Sequence, residues 1–276
     1  MSRNIGTHTE ESYSYNGAGL PVSKVSTVNN TVVNSAQIEY YTNGNQKRIS
    51  QLGKSPVSYV YEGDGMLRTE NVEGVIRSDY IYSTTGSIIN KYTKYADNSS
   101  ETLLYDCDEN NRATASRIYA TDKFSIYTYD DAGRLTNAVR NGANEAYSYD
   151  IFGRITSGTK NNVAFSYTYD ASGLRTSKTV DGATTYYVYD GENIIAEISD
   201  SGETIYLRDN TGIVSRTRGN AKEYFVTSYR GDISAVVNSD ADIIKSYDYE
   251  AFGSLKNASA ADDNPFRYCG EYFDDE

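Results

Sequence analysis

The sequence predicts an all-β fold built as an array of antiparallel β-hairpins, and three observations predict it. A Tyr-x-Tyr-Asp signature returns at a constant step, with second tyrosines at Tyr129, Tyr149, Tyr169 and Tyr189. A fixed period of this kind marks a repeat architecture. Tyrosine accounts for 28 of the 276 residues and tryptophan for none, and tyrosine favours strands. Only 3 prolines interrupt the chain, while 22 glycines fall between short alternating runs, as hairpin turns require.

The sharpest copies are YTYDDAGRL (127–135), YSYDIFGRI (147–155), YTYDASGLR (167–175) and YVYDGENII (187–195). Looser copies precede them: SYNGAGL (14–20), IEYYTNGNQKRI (38–49), YVYEGDGML (59–67), YIYSTTGSI (80–88) and LYDCDENNR (104–112). Three follow, at 203–216, 224–237 and 247–255. Residues 123–145 serve as the type copy. Ser125, Tyr127 and Tyr129 share one strand face, with Ile126 and Thr128 on the other. Asp130 starts a turn, where its carboxylate accepts hydrogen bonds from backbone N–H groups ahead of it, and Gly133 takes the positive φ that closes it. Arg134 to Val139 return as the second strand, and Asn141-Gly142 makes the next tight turn. The same reading covers Tyr147, Tyr149, Asp150, Gly153 and Arg154. It covers Tyr167, Tyr169, Asp170 and Gly173, and finally Tyr187, Tyr189 and Asp190. All of these motif residues are read as scaffold.

A single hairpin is barely stable, so neighbours must pair edge to edge. Equivalent tyrosines then form rows on one sheet face, each same-face pair worth about 0.2–1 kcal/mol. A phenol oxygen needs a partner or water, which suits a half-wet surface better than a dry core. The array is expected over 1–256, with a different segment from 257 to 276.

Formal net charge is -12, which argues against nucleic acid or an anionic membrane as partner. No stretch approaches the roughly 18 apolar residues of a membrane span, and the N-terminus lacks the apolar core of a signal peptide. Cys107 and Cys269, the only cysteines, are expected as two free thiols packed as small hydrophobes.

At this point the residues resemble a known family. YDDAGRL, YDIFGRI and YDASGLR resemble the YD repeats of the rearrangement-hotspot (Rhs) family. The tail, YDYEAFGSLKNASAADDNPFRYCGEYFDDE (247–276), resembles the start of the Rhs-repeat-associated core region. Asn264 to Glu276 fit its Pro-Phe-x-Tyr-x-Gly-x-x-x-Asp-x-Glu stretch, and Glu250-Ala251-Phe252-Gly253 stands where Pro-Phe-Gly or Ala-Phe-Gly is usual. The resemblance implies a spiral of YD hairpins, an open shell or barrel-like solenoid that encloses a toxic C-terminal domain until delivery. Similar shells occur in insecticidal toxin complexes, contact-inhibition toxins and teneurins. The partners it implies are the remaining parts of a larger Rhs protein and its toxin domain, secreted or at a cell surface. The given sequence stops at Glu276, ahead of the Asp-Pro-x-Gly motif that carries the family's self-cleaving aspartates. A fragment is therefore expected, and no residue here inherits that role.

Enzyme readings fare badly. His8 is the only histidine, so any Ser/His/Asp or Cys/His arrangement must use it. No His/Cys cluster has zinc spacing. Asp106-Cys107-Asp108 lacks the rest of a calcium loop, and a solvated turn is expected there. Asp130/Asp131 and Asp262/Asp263 are paired carboxylates, but aspartates recurring once per copy fit turn capping better than a glycosidase pair. Gly63-Asp64-Gly65 has no following Lys-Ser/Thr for a phosphate loop. Sequons at Asn29, Asn98 and Asn257 bear only on a eukaryotic secretory setting. No catalytic residue, metal or cofactor is expected. The rival reading is a carbohydrate-binding or adhesion module, with tyrosines stacking on sugars. The two separate on exposure: a binding platform needs open tyrosines, a packed wall needs covered ones.

Overall fold

The computed structural model describes residues 2–5, 9–119, 121, 123–210, 212–256 and 262–275. Among them, 24 strands belong to one antiparallel sheet, and a short 3-10 turn spans Tyr268–Gly270. No helix of the described residues is long and apolar enough to cross a membrane.

The chain divides into two compact units, residues 1–58 with 188–275 and residues 59–187. The first holds β1 (Ser2–Ile5), β2 (Thr9–Tyr15), β3 (Pro21–Val28), β4 (Thr31–Tyr40), β5 (Gln46–Gln51) and the start of β6 (Val57–Tyr61). The second continues with β7 (Leu67–Val72), β8 (Ile76–Tyr82), β9 (Ile88–Tyr95), β10 (Ser100–Cys107), β11 (Ala113–Ile118), β12 (Lys123–Tyr129) and β13 (Leu135–Arg140). It goes on through β14 (Ala143–Tyr149), β15 (Ile155–Lys160), β16 (Val163–Tyr169), β17 (Arg175–Val180) and most of β18 (Ala183–Asp190). The first unit resumes with β19 (Asn193–Ser199), β20 (Gly202–Asp209), β21 (Gly212–Arg218), β22 (Ala221–Thr227), β23 (Ile233–Asn238) and β24 (Ile243–Ser246).

Two turn types alternate in the second unit. The tight type pairs two left-handed residues: Asn141 and Gly142 at φ 52° and 86°, Asn161 and Asn162 at 52° and 64°, Asp181 and Gly182 at 47° and 82°. Positive φ at both positions matches the right-handed twist of the strands it joins. The longer type carries the YD signature, and the strand ahead of it holds a β-bulge. The register slips between Thr128 and Tyr129, between Ser148 and Tyr149, and between Thr168 and Tyr169. A bulge raises local twist, so each copy bends the ladder at the same place. Side chains alternate as the period of two requires. Tyr127 and Tyr129 are half-buried, and Ile126 and Thr128, which alternate with them, are exposed. In β15, Gly158 leaves the space that Phe165 fills; a Cβ there lies 2.4 Å from the Phe165 ring.

The first unit packs its early strands against its late ones. Val28, Val226, Ala235 and Val237 form an apolar cluster, with Val33 and Tyr224 against it. Nearby lies a buried ion pair, Lys24 Nζ to Glu11 at 2.8 Å. Lys24 also donates to the Thr227 carbonyl and hydroxyl, each at 2.6 Å, and Tyr13 OH donates to Glu11 at 3.1 Å. A buried pair offsets its desolvation only when its remaining bonds are satisfied in this way.

Candidate functional site

The YD turn is built from one aspartate. Asp130 Oδ1 accepts from the backbone N–H of Ala132 at 3.0 Å and of Arg134 at 2.9 Å. Its Oδ2 accepts from Arg134 Nε at 2.7 Å. Gly133, at φ 81°, closes the loop by donating its N–H to the Asp130 carbonyl at 2.9 Å. Asp150, Phe152, Gly153 and Arg154 repeat this geometry. Asp170 holds the Ser172 and Leu174 N–H groups, with Gly173 at φ 93°. Leu174 stands where Arg134 and Arg154 stand, so no guanidinium among the described residues sits on that carboxylate. The backbone N–H of Arg134 and its guanidinium hold the Asp130 carboxyl below the usual range. Burial opposes ionisation of Asp150, yet the same two bonds from Arg154 still lower it.

Each of these hairpins is stitched to the one before it by its second tyrosine. Tyr129 OH donates to the Ala113 carbonyl at 2.8 Å, Tyr149 OH to Leu135 at 2.7 Å and Tyr169 OH to Ile155 at 2.7 Å. Tyr40, Tyr82 and Tyr249 do the same toward Pro21, Leu67 and Ile233. In every case the acceptor is the first residue of the preceding returning strand. The arginine of one turn then covers the tyrosine of the next. Arg112 lies 4.8 Å from the Tyr129 ring, Arg134 5.0 Å from Tyr149 and Arg154 4.7 Å from Tyr169. Arg134 Nη1 also donates to the Asp150 carbonyl at 3.1 Å. Cation, ring and carbonyl together make a ladder along the turns. The 20-residue spacing presents each copy as a self-contained hairpin, and nothing in it shows these bonds between copies.

The first tyrosines lie deeper. Tyr147 OH donates at 2.9 Å to Glu145, a 3 % exposed residue whose carboxylate Arg140 also grips. Burial and that carboxylate push the Tyr147 phenol up to about 12. Arg140 Nη1 donates onward to Tyr127 OH at 3.0 Å. Tyr167 and Tyr187 are buried and share the Arg175 guanidinium, 4.6 and 5.0 Å from their rings. The expected half-wet surface describes Tyr129, Tyr149 and Tyr169, which are half-buried. It does not describe Tyr59, Tyr80, Tyr167, Tyr187, Tyr206 and Tyr247, all under a tenth exposed.

Two copies depart from the pattern. Asp190 ends β18 as a strand residue, Tyr189 stands half-buried two places past Tyr187, and the chain reverses through Gly191-Glu192. In LYDCDENNR the capping aspartate is Asp108, whose Oδ1 accepts from Asn110 and Arg112 N–H at 2.9 Å each, and Asn111 at φ 61° replaces the glycine. Asp106 instead lies in β10.

The C-terminal segment docks on strands of β20–β23. Phe266, 1 % exposed, meets Tyr206, Phe225 and Tyr272 edge-on at ring distances of 5.0, 6.2 and 5.5 Å. Ile233 N–H donates to the Arg267 carbonyl at 2.9 Å, and Cys269 N–H to Asp232 at 3.0 Å. Asp263 is gripped by Arg216, Arg218 and Lys245, and Asp262 by Lys245 and Tyr247 OH. Burial opposes ionisation of Asp263, but the bonds from Lys245 and Arg218 outweigh it and hold its carboxyl far below the usual range. The sequence hides this cationic notch because Arg216, Lys245 and Asp263 belong to separate copies.

The remaining sequence features fall into turns or outside the description. Asp64 Oδ1 accepts from Met66 N–H in the Gly63–Gly65 turn. Asn29 and Asn98 take positive φ at hairpin turns. Asp131 is exposed. Cys107 and Cys269 are both free thiols. Cys107 is half-buried, but Cys269 is exposed rather than packed, because it sits at positive φ in the 3-10 turn of the docked tail. Among the described residues no group of three His, Cys, Asp or Glu is placed to hold a metal ion. His8, Asn257 and Glu276 lie outside the described residues.

A family model for the teneurin YD-shell matches residues 3–276. No curated protein matches the chain. Among solved structures, a TcdB2–TccC3–Cdc42 crystal structure is similar at 13 % identity and TM-score 0.48, over 96 % of this chain and 19 % of that one. A TcdB2–TccC3 crystal structure is similar at 13 % identity and TM-score 0.47, over 96 % and 20 %. A Photorhabdus luminescens Tc holotoxin pore gives 13 % and 0.40, over 96 % and 19 %. The chain spans about a fifth of the length of these solved chains.

Proposed function

Because the chain belongs to the teneurin YD-shell family, we propose that it is a wall section of a protein shell, a non-enzymatic scaffold within a larger secreted or cell-surface protein of the Rhs type. Its cargo on this reading is a C-terminal toxin domain, and its partners are the other parts of the same polypeptide. The array corresponds to residues 1–256 and the start of the family's core segment to 257–276. The observation that carries the reading is the ladder between hairpins. The second tyrosines commit their hydroxyls to the preceding hairpin's carbonyls, and the turn arginines set their charge against the next hairpin's rings. Groups committed to neighbours in this way build a wall rather than turn over a substrate. Motif tyrosines under a tenth exposed favour packing over a sugar-stacking platform. The docked segment adds a second support, since Phe266 and Asp263 tie the following chain to the strands it has just left.

Limited proteolysis of the full-length gene product tests this. The expected result is that sequence downstream of residue 276 resists protease while the YD array is intact and is digested once the array is unfolded. Downstream sequence digested at the same rate in both states contradicts encapsulation.

A further inference from the structure

We propose that the cleft beside the docked C-terminal segment recognises a carboxylate carried on a peptide, with Arg208 as its anchoring group. The cleft measures about 280 Å³; Arg208 and Tyr272 line it together with Gly231, Gly270 and two carboxylates, Glu192 and Glu271. Arg208 is a departure from the repeat. Tyr206 and Arg208 in β20 stand where other copies carry their first and second tyrosines. Arg208 keeps the tyrosine's stitch, its Nε donating to the Ile194 carbonyl at 3.1 Å, as Tyr149 OH donates to Leu135. A phenol is used up by that bond, whereas a guanidinium has two Nη groups left.

Those two nitrogens have nothing to hold among the described residues. The guanidinium rests on the Phe266 ring at 4.9 Å and forms no ion pair there. Glu271, on the rim, acts on it only through space. Burial pushes the Arg208 pKa down, with Glu271 offsetting part of the effect. Arg208 is half-buried, and a planar carboxylate is the ligand that two adjacent Nη groups fit. The half-buried Tyr272 ring on the wall suits the apolar stem of an acidic side chain. Gly231 and Gly270 carry no side chains, so a peptide backbone can approach closely. The volume sits just under the roughly 300–1,000 Å³ of small-ligand sites, which is room for one or two residues and not for a folded surface. This inference stands apart from the encapsulation reading, which makes no use of Arg208.

Calorimetric titration of the whole chain with acetyl-Gly-Glu-Gly-amide tests it, against acetyl-Gly-Gln-Gly-amide and sodium acetate. Saturable binding of the glutamyl peptide is expected, with the glutaminyl peptide at least about tenfold weaker and acetate weaker still. Arg208→Tyr, which restores the repeat's own residue, is expected to abolish binding and keep the melting temperature. Should that variant fail to fold, Arg208→Gln keeps a donor for the Ile194 carbonyl and serves instead. Equal binding of the two peptides, undiminished binding by the variants, or acetate binding as tightly as the peptide overturns the proposal.

Discussion

Gly133 is the position where turn geometry and the ladder meet, and a graded series there gives numbers that the structure fixes in advance. Its φ is 81°, and a Cβ built on it lies 3.2 Å from Arg112 Nη1. That contact is with the far end of a long side chain, held by Asp108 through Nε and Nη2 and not through Nη1, so a shift of a few tenths of an ångström relieves it and the backbone term dominates. A left-handed conformation costs an ordinary L residue about 1–2 kcal/mol, which sets Gly133→Ala. Valine is β-branched and belongs at about 2–3 kcal/mol. Asparagine visits this region routinely, and Asn111 does so at φ 61° in the same place of the preceding YD turn. Gly133→Asn is therefore expected to cost less than about 1 kcal/mol. Thermal unfolding followed by circular dichroism reads the series. At about 2–4 °C per kcal/mol for a chain of this size, the valine variant melts roughly 4–12 °C lower. The order Asn, Ala, Val, from mildest to most severe, is the prediction. An asparagine variant as damaged as the valine one, or a valine variant that melts like the parent, refutes the turn assignment.

The stitches, the docked tail and the capped carboxylates each have their own test. Tyr149→Phe leaves the Leu135 carbonyl without its donor and is expected to cost about 1 kcal/mol, read as a lower urea midpoint with an unchanged slope. Phe266→Ala removes the ring held by Tyr206, Phe225 and Tyr272 at about 3–5 kcal/mol. Hydrogen exchange of the Ile233 amide, which the docked segment protects, is expected to accelerate by at least about a hundredfold in that variant. Asp130, Asp150, Asp262 and Asp263 all have folded pKa values below the ordinary carboxyl value. Their contribution is complete above the unfolded value of about 3.9 and is lost as pH falls through the folded values. Melting temperature should therefore hold on the neutral side and fall below about pH 4, with a shallower fall in Asp263→Asn. Leu174→Arg supplies the guanidinium that the Asp170 turn lacks and is expected to raise the melting temperature slightly, while a lower one counts against the ladder.

The hairpins were legible because their causes are local. Alternation, a capping aspartate and a glycine three residues on all fall within one short motif, and the 20-residue step shows them repeated. What escaped was contact between copies and exchange of one turn type for another. The stitch from Tyr149 OH to Leu135, the cover of Arg134 over Tyr149 and the Lys24–Glu11–Thr227 cluster depend on register and on which strands face each other. Periodicity carries neither. In LYDCDENNR the pair Tyr105-Asp106 stands in the place of the motif's Tyr-Asp, yet Asp108 caps, because Arg112 lies four residues beyond it and Asn111 tolerates positive φ. At Asp190 the next residue is already Gly191, at φ 59°, so a two-residue reversal closes the hairpin before the longer turn can form. Asp262 and Asp263 read as turn-capping carboxylates, whereas the docked tail brings Arg216, Arg218 and Lys245 to them.

The most direct measurement is electron cryomicroscopy of the full-length gene product, with density traced from residue 2 to residue 275 and beyond. The account predicts that these hairpins form one stretch of a closed wall, with polypeptide from beyond residue 276 inside it. A map in which the hairpin rows stand open to solvent, with nothing enclosed behind them, contradicts it.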